Sequence, residues 1–117
     1  MKRVTGNRIV DLSFDFALRI ISFTEILEEE RKYAVATQLI RCGTSIGANI
    51  SEAQSSESKA DFIHKLKVAS KESEETEYWL LLCKYSTTYP TNEELLSMIV
   101  EIKKLLTSII NSSKKQL

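Results

Sequence analysis

The sequence contains only one proline, three glycines, one histidine and two cysteines among 117 residues, and each scarcity excludes a class of protein. So little proline and glycine argues against a disordered chain or a turn-rich β protein and favours long helices. The longest apolar run, Tyr78 to Cys83, is far shorter than the ~20 residues that cross a bilayer, so we predict no membrane segment. Because Cys42 and Cys83 belong to no disulfide framework, we expect both to be unpaired in a cytoplasmic protein.

An excess of charge of either sign is also missing, since 16 basic residues balance 16 acidic ones. This balance is unlike that of a typical nucleic-acid-binding protein, although balanced totals can conceal a basic face. The only histidine, His64, follows Asp61 by one helical turn. A di-iron bundle needs a second carboxylate–histidine pair, and a hydrolytic triad needs a histidine beside its nucleophile. We therefore expect a surface His64, no metal, no cofactor, no small-molecule substrate and no enzymatic activity; a metal-dependent activity is the least favoured alternative.

Apolar residues that recur every three or four positions predict four amphipathic helices. Ser58 is the expected N-cap of the third helix, with Asp61 in the place of a capping-box acid. Pro90 cannot continue a helix, and Thr91 is the expected N-cap of the fourth. Helices of this length with short links predict a single all-α domain over residues 1–117, folded as an antiparallel up-down four-helix bundle. The predicted helices run, in chain order, over about 7–27, 33–55, 58–86 and from 91 onward.

The second helix carries two glycines one turn apart, Gly43 and Gly47, in the stretch "RCGTSIGANISEA". A phosphate-binding loop is excluded, because no strand precedes the stretch and no lysine follows the second glycine. Glycine inside a helix costs about 1 kcal/mol relative to alanine, so close approach of another helix is the expected compensation. If the second and third helices form a hairpin, the glycines lie level with Ala69 and Ser73. We therefore predict that these two helices touch closely there.

A row of polar residues lies on the flank of the second helix, within about 80° of arc and away from its apolar seam. The hairpin register places Arg41 level with Glu72 and predicts an ion pair with Glu72 or Glu75. Two interpretations stay open: the row faces water, or it is buried against another helix or subunit with its polar groups paired. The members of this polar row are Gln38, Arg41, Ser45, Asn49 and Glu52.

The segment Tyr78 to Leu82 is apolar on every side of the third helix, which indicates burial on more than one side. Tyr78 and Trp79 are large and amphipathic, so they suit a subunit interface. Packing in the core of one subunit is the alternative.

Basic residues concentrate near the two ends of the chain. In a ring of subunits they would form a basic rim able to contact nucleic acid. Solvated helix ends are the alternative, and no aromatic residues interleave with these positions to stack on bases. The members of this basic rim are Lys2, Arg3, Arg8, Lys103, Lys104, Lys114 and Lys115.

The second and third helices also match a spacing pattern, Q-x-x-R-x-x-x-S-I-x-x-N-I-x-E-[GA], then K-x-[DE]-F and an E-x-E run. The pattern resembles that of a bacterial family of four-helix bundles, the 23S rRNA-intervening sequence proteins, and the first helix also fits. Ala53 stands where many members have glycine, and Glu72 replaces another common glycine. The matching residues are Gln38, Arg41, Ser45, Ile46, Asn49, Ile50, Glu52, Ala53, Lys59, Asp61, Phe62, Glu75 and Glu77.

This resemblance implies a homo-oligomer, commonly a ring of five bundles. It also implies a distant relation to the accessory protein of diversity-generating retroelements, which binds nucleic acid and a reverse transcriptase. The family itself has no established activity.

The sequence together with this resemblance predicts a non-enzymatic homo-oligomer, with five subunits as the resemblance implies, that serves as an interaction scaffold for nucleic acid or a nucleic-acid enzyme. Direct binding of RNA or DNA through the basic rim is the alternative. The residues predicted to form an interface or a close helix contact are Gln38, Arg41, Gly43, Ser45, Gly47, Asn49, Glu52, Ser73, Glu75, Tyr78 and Trp79.

Overall fold

The computed structural model describes residues 4–116, which form four α-helices and, within that range, no strand. Helix α1 spans Arg8–Glu29, α2 spans Tyr33–Ala53, α3 spans Lys59–Tyr85 and α4 spans Glu93–Lys114. The predicted all-α class with four helices is confirmed, and the predicted ranges agree with the observed ones to within a few residues. None of the helices within residues 4–116 combines the length and hydrophobicity that a bilayer crossing requires.

Each helix runs antiparallel to the two helices it touches, and α1 and α3 lie diagonally opposite each other. In the contacts that join two helices, the residue number falls on one helix as it rises on the other. This packing fits an up-down four-helix bundle, with extents of 48 × 28 × 20 Å. Contacts and one charge interaction, Glu52 with Lys65, show the direction; the contacts are Ser13–Gly47 and Ile20–Gly43, Arg41–Glu75, Glu77–Lys103 and Lys84–Glu93, Arg8–Glu101 and Arg19–Glu94.

The predicted N-cap of α3 is confirmed. The Ser58 hydroxyl oxygen accepts a hydrogen bond from the backbone N–H of Asp61 at 3.1 Å. The Asp61 carboxylate accepts from Lys65 Nζ at 2.8 Å and from the backbone N–H of Glu57 at 3.4 Å. Since the hydrogen bond from Lys65 favours the charged carboxylate, it lowers the pKa of Asp61 below its usual value.

The N-cap of α4 is Asn92, so the prediction of Thr91 is wrong by one residue. The Asn92 side-chain oxygen accepts from the backbone N–H of Leu95 at 2.9 Å. Asparagine caps a helix at least as well as threonine, and the shift places Glu93 at the first helical position, beside the positive helix end.

A single apolar core fills the space between the helices, and its small polar members bond to their own helix. The Ser73 hydroxyl donates to the carbonyl oxygen of Ser70 at 2.6 Å, and the Thr76 hydroxyl donates to that of Glu72 at 2.8 Å. No buried side-chain nitrogen or oxygen within the described range lacks a partner. The largest fully buried side chains are Phe16, Ile20, Leu27, Leu39, Ile46, Ile50, Leu66, Leu80, Leu95, Ile99, Ile102 and Leu106.

The two glycines of α2 pack against α1, so the prediction that they face Ala69 and Ser73 of α3 is wrong. A Cβ added at Gly43 would lie 2.9 Å from the side chain of Ile20. A Cβ added at Gly47 would lie 3.2 Å from the backbone oxygen of Ser13. The hairpin register fixes the level of a residue along the bundle axis, but it does not decide which side of the helix that residue occupies.

On the α3 side of α2, the small residue at this level is Cys42. Its thiol contacts the hydroxyl of Thr76, and one residue along a helix turns the side chain by about 100°. Ser73 is fully buried, as predicted for a close helix contact, but it does not face the glycines.

Replacing Gly43 with alanine is expected to lower the free energy of unfolding by up to about 2 kcal/mol. Overpacking against the fully buried Ile20 costs about 1–3 kcal/mol, while alanine returns about 1 kcal/mol of helix propensity. Denaturant unfolding of Gly43→Ala, Ile20→Ala and the double variant measures the coupling. The new methyl group should partly fill the space that Ile20→Ala leaves, so strictly additive effects would contradict the contact.

Both cysteines are unpaired and buried, as predicted. Burial disfavours the thiolate, and it raises the pKa of Cys42 and raises that of Cys83 to about 11. A thiolate at either position is therefore rare in the folded protein at neutral pH.

The thiol of Cys83 should make stability fall as the solution becomes alkaline. The thiol has a pKa of 9.0 in the unfolded state and of about 11 in the folded state. Between those pH values the thiol ionises mainly in the unfolded state, and this ionisation stabilises the unfolded state. We expect the free-energy difference between wild type and Cys83→Ala to shrink from about pH 8 to about pH 10.5, measured by denaturant unfolding. A constant difference would show that the thiol ionises equally in both states.

Candidate interaction surfaces

The polar row lies along the outer seam between α2 and α3, and Arg41 forms the predicted ion pair with both glutamates. Its guanidinium bonds to the carboxylate of Glu75, and to that of Glu72 at 3.5 Å. Within α2 it also donates to the side-chain oxygen of Gln38 at 3.2 Å. The Arg41 side chain remains 52% exposed, so this network sits at the surface of the single chain.

Glu75 is the centre of this network. The same carboxylate oxygen that binds Arg41 accepts a hydrogen bond from the indole N–H of Trp79 at 3.0 Å. The half-buried indole is thereby held against the seam, and its ring meets that of Tyr78 edge to face at 5.6 Å between centroids. One carboxylate thus fixes a cation of α2 and an aromatic ring of α3.

The remaining members of the polar row bond locally. The Asn49 side-chain N–H donates to the backbone oxygen of Ser45 at 2.9 Å and to its hydroxyl at 3.1 Å. Glu52 is exposed. The pKa of Lys65 on α3 is raised mainly by the hydrogen bond that Lys65 donates to Asp61, and the negative charge of Glu52 raises it further. Within one chain the members of the row other than Glu52 therefore have bonded partners, and the row is only half-covered. Burial against a second subunit stays a prediction.

Truncating Glu75 to alanine should lower the free energy of unfolding by about 1 kcal/mol, because Arg41 and Trp79 lose a shared acceptor. Glu74→Ala is the matched control: that glutamate is 63% exposed and binds only Lys103, at 3.2 Å, so we expect less than about 0.5 kcal/mol. Fluorescence of Trp79, the only tryptophan, follows unfolding directly. Equal losses in the two variants would show that the network adds nothing beyond a surface charge.

The end of α3 exposes more apolar surface than its own bundle can cover. Of the segment from Tyr78 to Cys83, only Leu80 and Cys83 are buried, and Tyr78 is 58% exposed. Core packing therefore accounts for only part of the segment. The exposed residues, which we call the α3 apolar face, are Tyr78, Leu81, Leu82 and Tyr85.

A second apolar surface lies on the outer seam of α1 and α2, and sequence reasoning missed it. It is a groove of about 370 Å³ with Gly47 among its lining residues. The sequence signal was present, because the apolar stripe of α1 is wider than one core-facing side needs. The main lining residues of this α1/α2 groove are Val10, Phe14, Leu18 and Ile21 from α1, and Thr44, Gly47 and Ala48 from α2.

Ion pairs neutralise part of the positive charge of the predicted basic rim. Arg8 pairs with Glu101, and Lys103 pairs with Glu77 at 2.7 Å and Glu74 at 3.2 Å. The hydrogen bond that Lys103 donates to Glu77 raises the pKa of Lys103, so that positive charge is retained but internally balanced. Lys104, Lys114 and Lys115 are exposed and have no acidic partner within residues 4–116, whereas Lys2 and Arg3 lie outside the described residues.

His64 is exposed on α3, as expected for a surface histidine. Within the part of the chain that the structure describes, no three histidine, cysteine or acidic side chains are placed to hold one metal ion.

The family model of the 23S rRNA-intervening sequence protein matches residues 6–108, from the turn before α1 into the last turns of α4. The chain belongs to this family. The resemblance carried by the polar row and the two motifs after it is therefore confirmed. No curated protein matches the chain.

A solved structure is similar to this member of the 23S rRNA-intervening sequence family over most of its length. It is the crystal structure of a protein with unknown function from the S23 ribosomal protein family of Bacteroides thetaiotaomicron. The two chains are 48% identical, with a TM-score of 0.80, and the match covers 87% of this chain and 97% of the other. The similarity supports the four-helix fold and assigns no activity.

Proposed function

We propose that this protein is a non-enzymatic, cytoplasmic bundle that assembles into a homo-oligomeric ring and serves as an interaction scaffold. The observation that supports the ring is the presence of two separate apolar surfaces on one bundle, the α1/α2 groove and the α3 apolar face. Exposed apolar patches on a soluble domain typically mark contact sites. The proposed partners are copies of this chain, together with nucleic acid or a nucleic-acid enzyme.

Two different surfaces favour a ring over a simple dimer. A two-fold dimer needs one self-complementary patch, whereas a head-to-tail assembly needs two unlike patches that fit each other. The groove offers small residues such as Gly47 and Ala48, while the α3 apolar face offers Tyr78 and Leu82 as projecting side chains. A ring of five is the size that the family resemblance suggests.

The polar row would then form the hydrophilic border of the subunit contact. It lies on the α2/α3 seam, beside Trp79 and the α3 apolar face, and Gln38, Arg41 and Asn49 already have partners. A paired polar border around an apolar centre is the usual organisation of a protein interface.

A nucleic-acid partner is proposed on the family resemblance alone; the family description refers to a sequence that intervenes in 23S rRNA. Direct binding of RNA or DNA through the basic rim is the second candidate. One observation favours it: α1 begins and α4 ends at the same end of the bundle, which places Arg8, Lys114 and Lys115 there together.

Light scattering after size exclusion tests the ring. Wild type should have five times the 13.3 kDa chain mass. Leu18→Glu in the groove and Leu82→Glu on the α3 apolar face should each reduce the assembly, because a charge would enter an apolar contact. Val100→Glu is the matched control, since Val100 is 41% exposed, close to 43% for both leucines, but lies on α4 outside both surfaces.

Mixing the two disrupted variants separates the types of interface. In a head-to-tail contact each variant keeps one intact surface, so the mixture should form a dimer of two unlike variants. A monomeric wild type, or a control variant that dissociates as readily as Leu18→Glu, would contradict the proposal.

A further inference from the structure

The formal net charge of zero conceals a division of charge across the surface. Among residues 4–116, six basic side chains are held in ion pairs within the bundle. These are Arg8, Arg19, Arg41, Lys65, Lys84 and Lys103.

The basic residues without an acidic partner in the described range are concentrated on one side. Apart from Lys59, five exposed lysines occupy the first half of α3 and the second half of α4 with its C-cap, Lys115. Because α3 and α4 are antiparallel neighbours, these halves lie at the same end, and Lys59 Nζ joins them by a hydrogen bond to Gln116 at 3.0 Å. We call this set the lysine face; its members are Lys67, Lys71, Lys104, Lys114 and Lys115.

The carboxylates nearest in sequence to the lysine face are already engaged. Asp61 binds Lys65, Glu72 binds Arg41, and Glu74 and Glu77 bind Lys103. On α4 the sequence has no acidic residue after Glu101. The internal ion pairs therefore leave the lysine face uncompensated.

The acidic residues without an ion pair in the described range lie elsewhere. Four of them end α1 or follow it directly, at the opposite end of the bundle: Glu25, Glu28, Glu29 and Glu30. The other two, Glu52 and Glu57, act on Lys65 on the α2 side of α3. The excess of unpaired positive charge therefore lies on the α3/α4 side at one end, although Glu57 is also at that end, and the four glutamates at the other end lie beside Arg31 and Lys32, two cations without an ion pair in the same range.

The spacing of the lysines suits an extended polyanion. Lys67 and Lys71 lie one turn apart, about 6 Å along the axis, and Lys104 and Lys115 lie about 16 Å apart on nearly the same side of α4. Like charges one turn apart repel each other, and a bound anion would relieve that repulsion. A duplex carries one phosphate charge per about 1.7 Å of axis, so a face of this length spans on the order of ten phosphates.

We propose that the lysine face binds the phosphate backbone of a double-stranded nucleic acid without reading its sequence. This deepens the proposed function and rests on it: the contact shares Lys104, Lys114 and Lys115 with the basic rim, but it extends onto α3 through Lys67 and Lys71 and does not include the ion-paired Arg8 and Lys103. Lysine acts as a point charge toward phosphate and lacks the planar fork with which arginine recognises base edges.

The residues between the lysines favour nucleic acid over a lipid surface. Exposed positions on this side include His64, Thr107 and Asn111, all of them polar. A helix that lies on a membrane combines its lysines with large apolar residues that enter the bilayer. The lysine face also contains no aromatic residue, and stacking on unpaired bases requires one.

Fluorescence anisotropy with a labelled 20-base-pair RNA duplex tests the proposal over a salt series from about 50 to 200 mM. The variant Lys67→Glu/Lys71→Glu should bind at least about tenfold more weakly at low salt. Its slope of log K against log salt should be shallower by about two, because two phosphate contacts are lost. Arg31→Glu/Lys84→Glu makes the same charge change at the opposite end and should leave affinity within about twofold of wild type.

Several outcomes would overturn the lysine face. They are an equal loss in the control variant, no binding by wild type at 50 mM salt, or a loss confined to Arg8→Ala/Lys103→Ala. Capture of an acidic polypeptide such as polyglutamate without affinity for RNA would assign the face to a protein partner instead. Circular dichroism melts confirm that each variant is folded.

Subunit mass measured on the same samples keeps this proposal separate from the ring. An intact oligomer that does not bind RNA would contradict the proposal for the lysine face and would be consistent with the ring. A monomer that binds RNA through Lys67 and Lys71 would support the proposal for the lysine face and would contradict the ring.

Discussion

The contact between the glycines of α2 and the body of α1 is the constraint on which the other features depend. With no side chain at Gly43 or Gly47, α2 comes so close to α1 that an added Cβ would meet Ile20 at 2.9 Å. This contact fixes the rotation of α2 about its own axis. The opposite flank of the helix is consequently turned toward α3, where Arg41 reaches Glu72 and Glu75. If α2 turned by one residue, or about 100°, the shallow groove at Gly47 and the Arg41 network would both be lost.

The two apolar surfaces follow from a general limit on thin bundles. Four helices enclose one core, and each helix can bury little more than one side against it. Helices α1 and α3 carry apolar residues beyond that side, at Leu18 and Ile21 and at Tyr78 and Leu82, and these remain at the surface. Surplus apolar surface on two diagonal helices, with an ion-paired seam between α2 and α3, leaves the chain with two unlike exposed apolar surfaces. Charged residues are distributed differently. Within residues 4–116, most basic side chains that are not in an ion pair lie on the α3/α4 side.

Sequence patterns predicted the helices, the cap at Ser58 and the Arg41 ion pairs because these depend on local spacing and on position along the axis. They failed where the answer depends on which neighbour lies on which side. The hairpin register placed Gly43 at the right level but against the wrong helix, since periodicity does not encode the order of helices around the bundle. The same limit hid the neutralisation of Arg8 and Lys103, whose partners Glu101 and Glu77 lie on other helices. The groove was missed because periodicity does not show where the apolar stripe of α1, which includes Leu18, is wider than the core can cover.

The buried hydroxyls of α3 have a consequence for how this helix can change over evolution. Ser73 donates to Ser70 one turn back, and Thr76 donates to Glu72, so neither relies on a hydrogen bond from a neighbouring helix to be satisfied. Because both hydroxyl hydrogen bonds lie within α3, the packing of the adjoining helices depends mainly on the volume of these two side chains. Drift among serine, alanine and cysteine at such sites would preserve the spacing of the helices, whereas a single leucine would force them apart. Natural variation in this part of the family should therefore conserve volume more faithfully than chemical type.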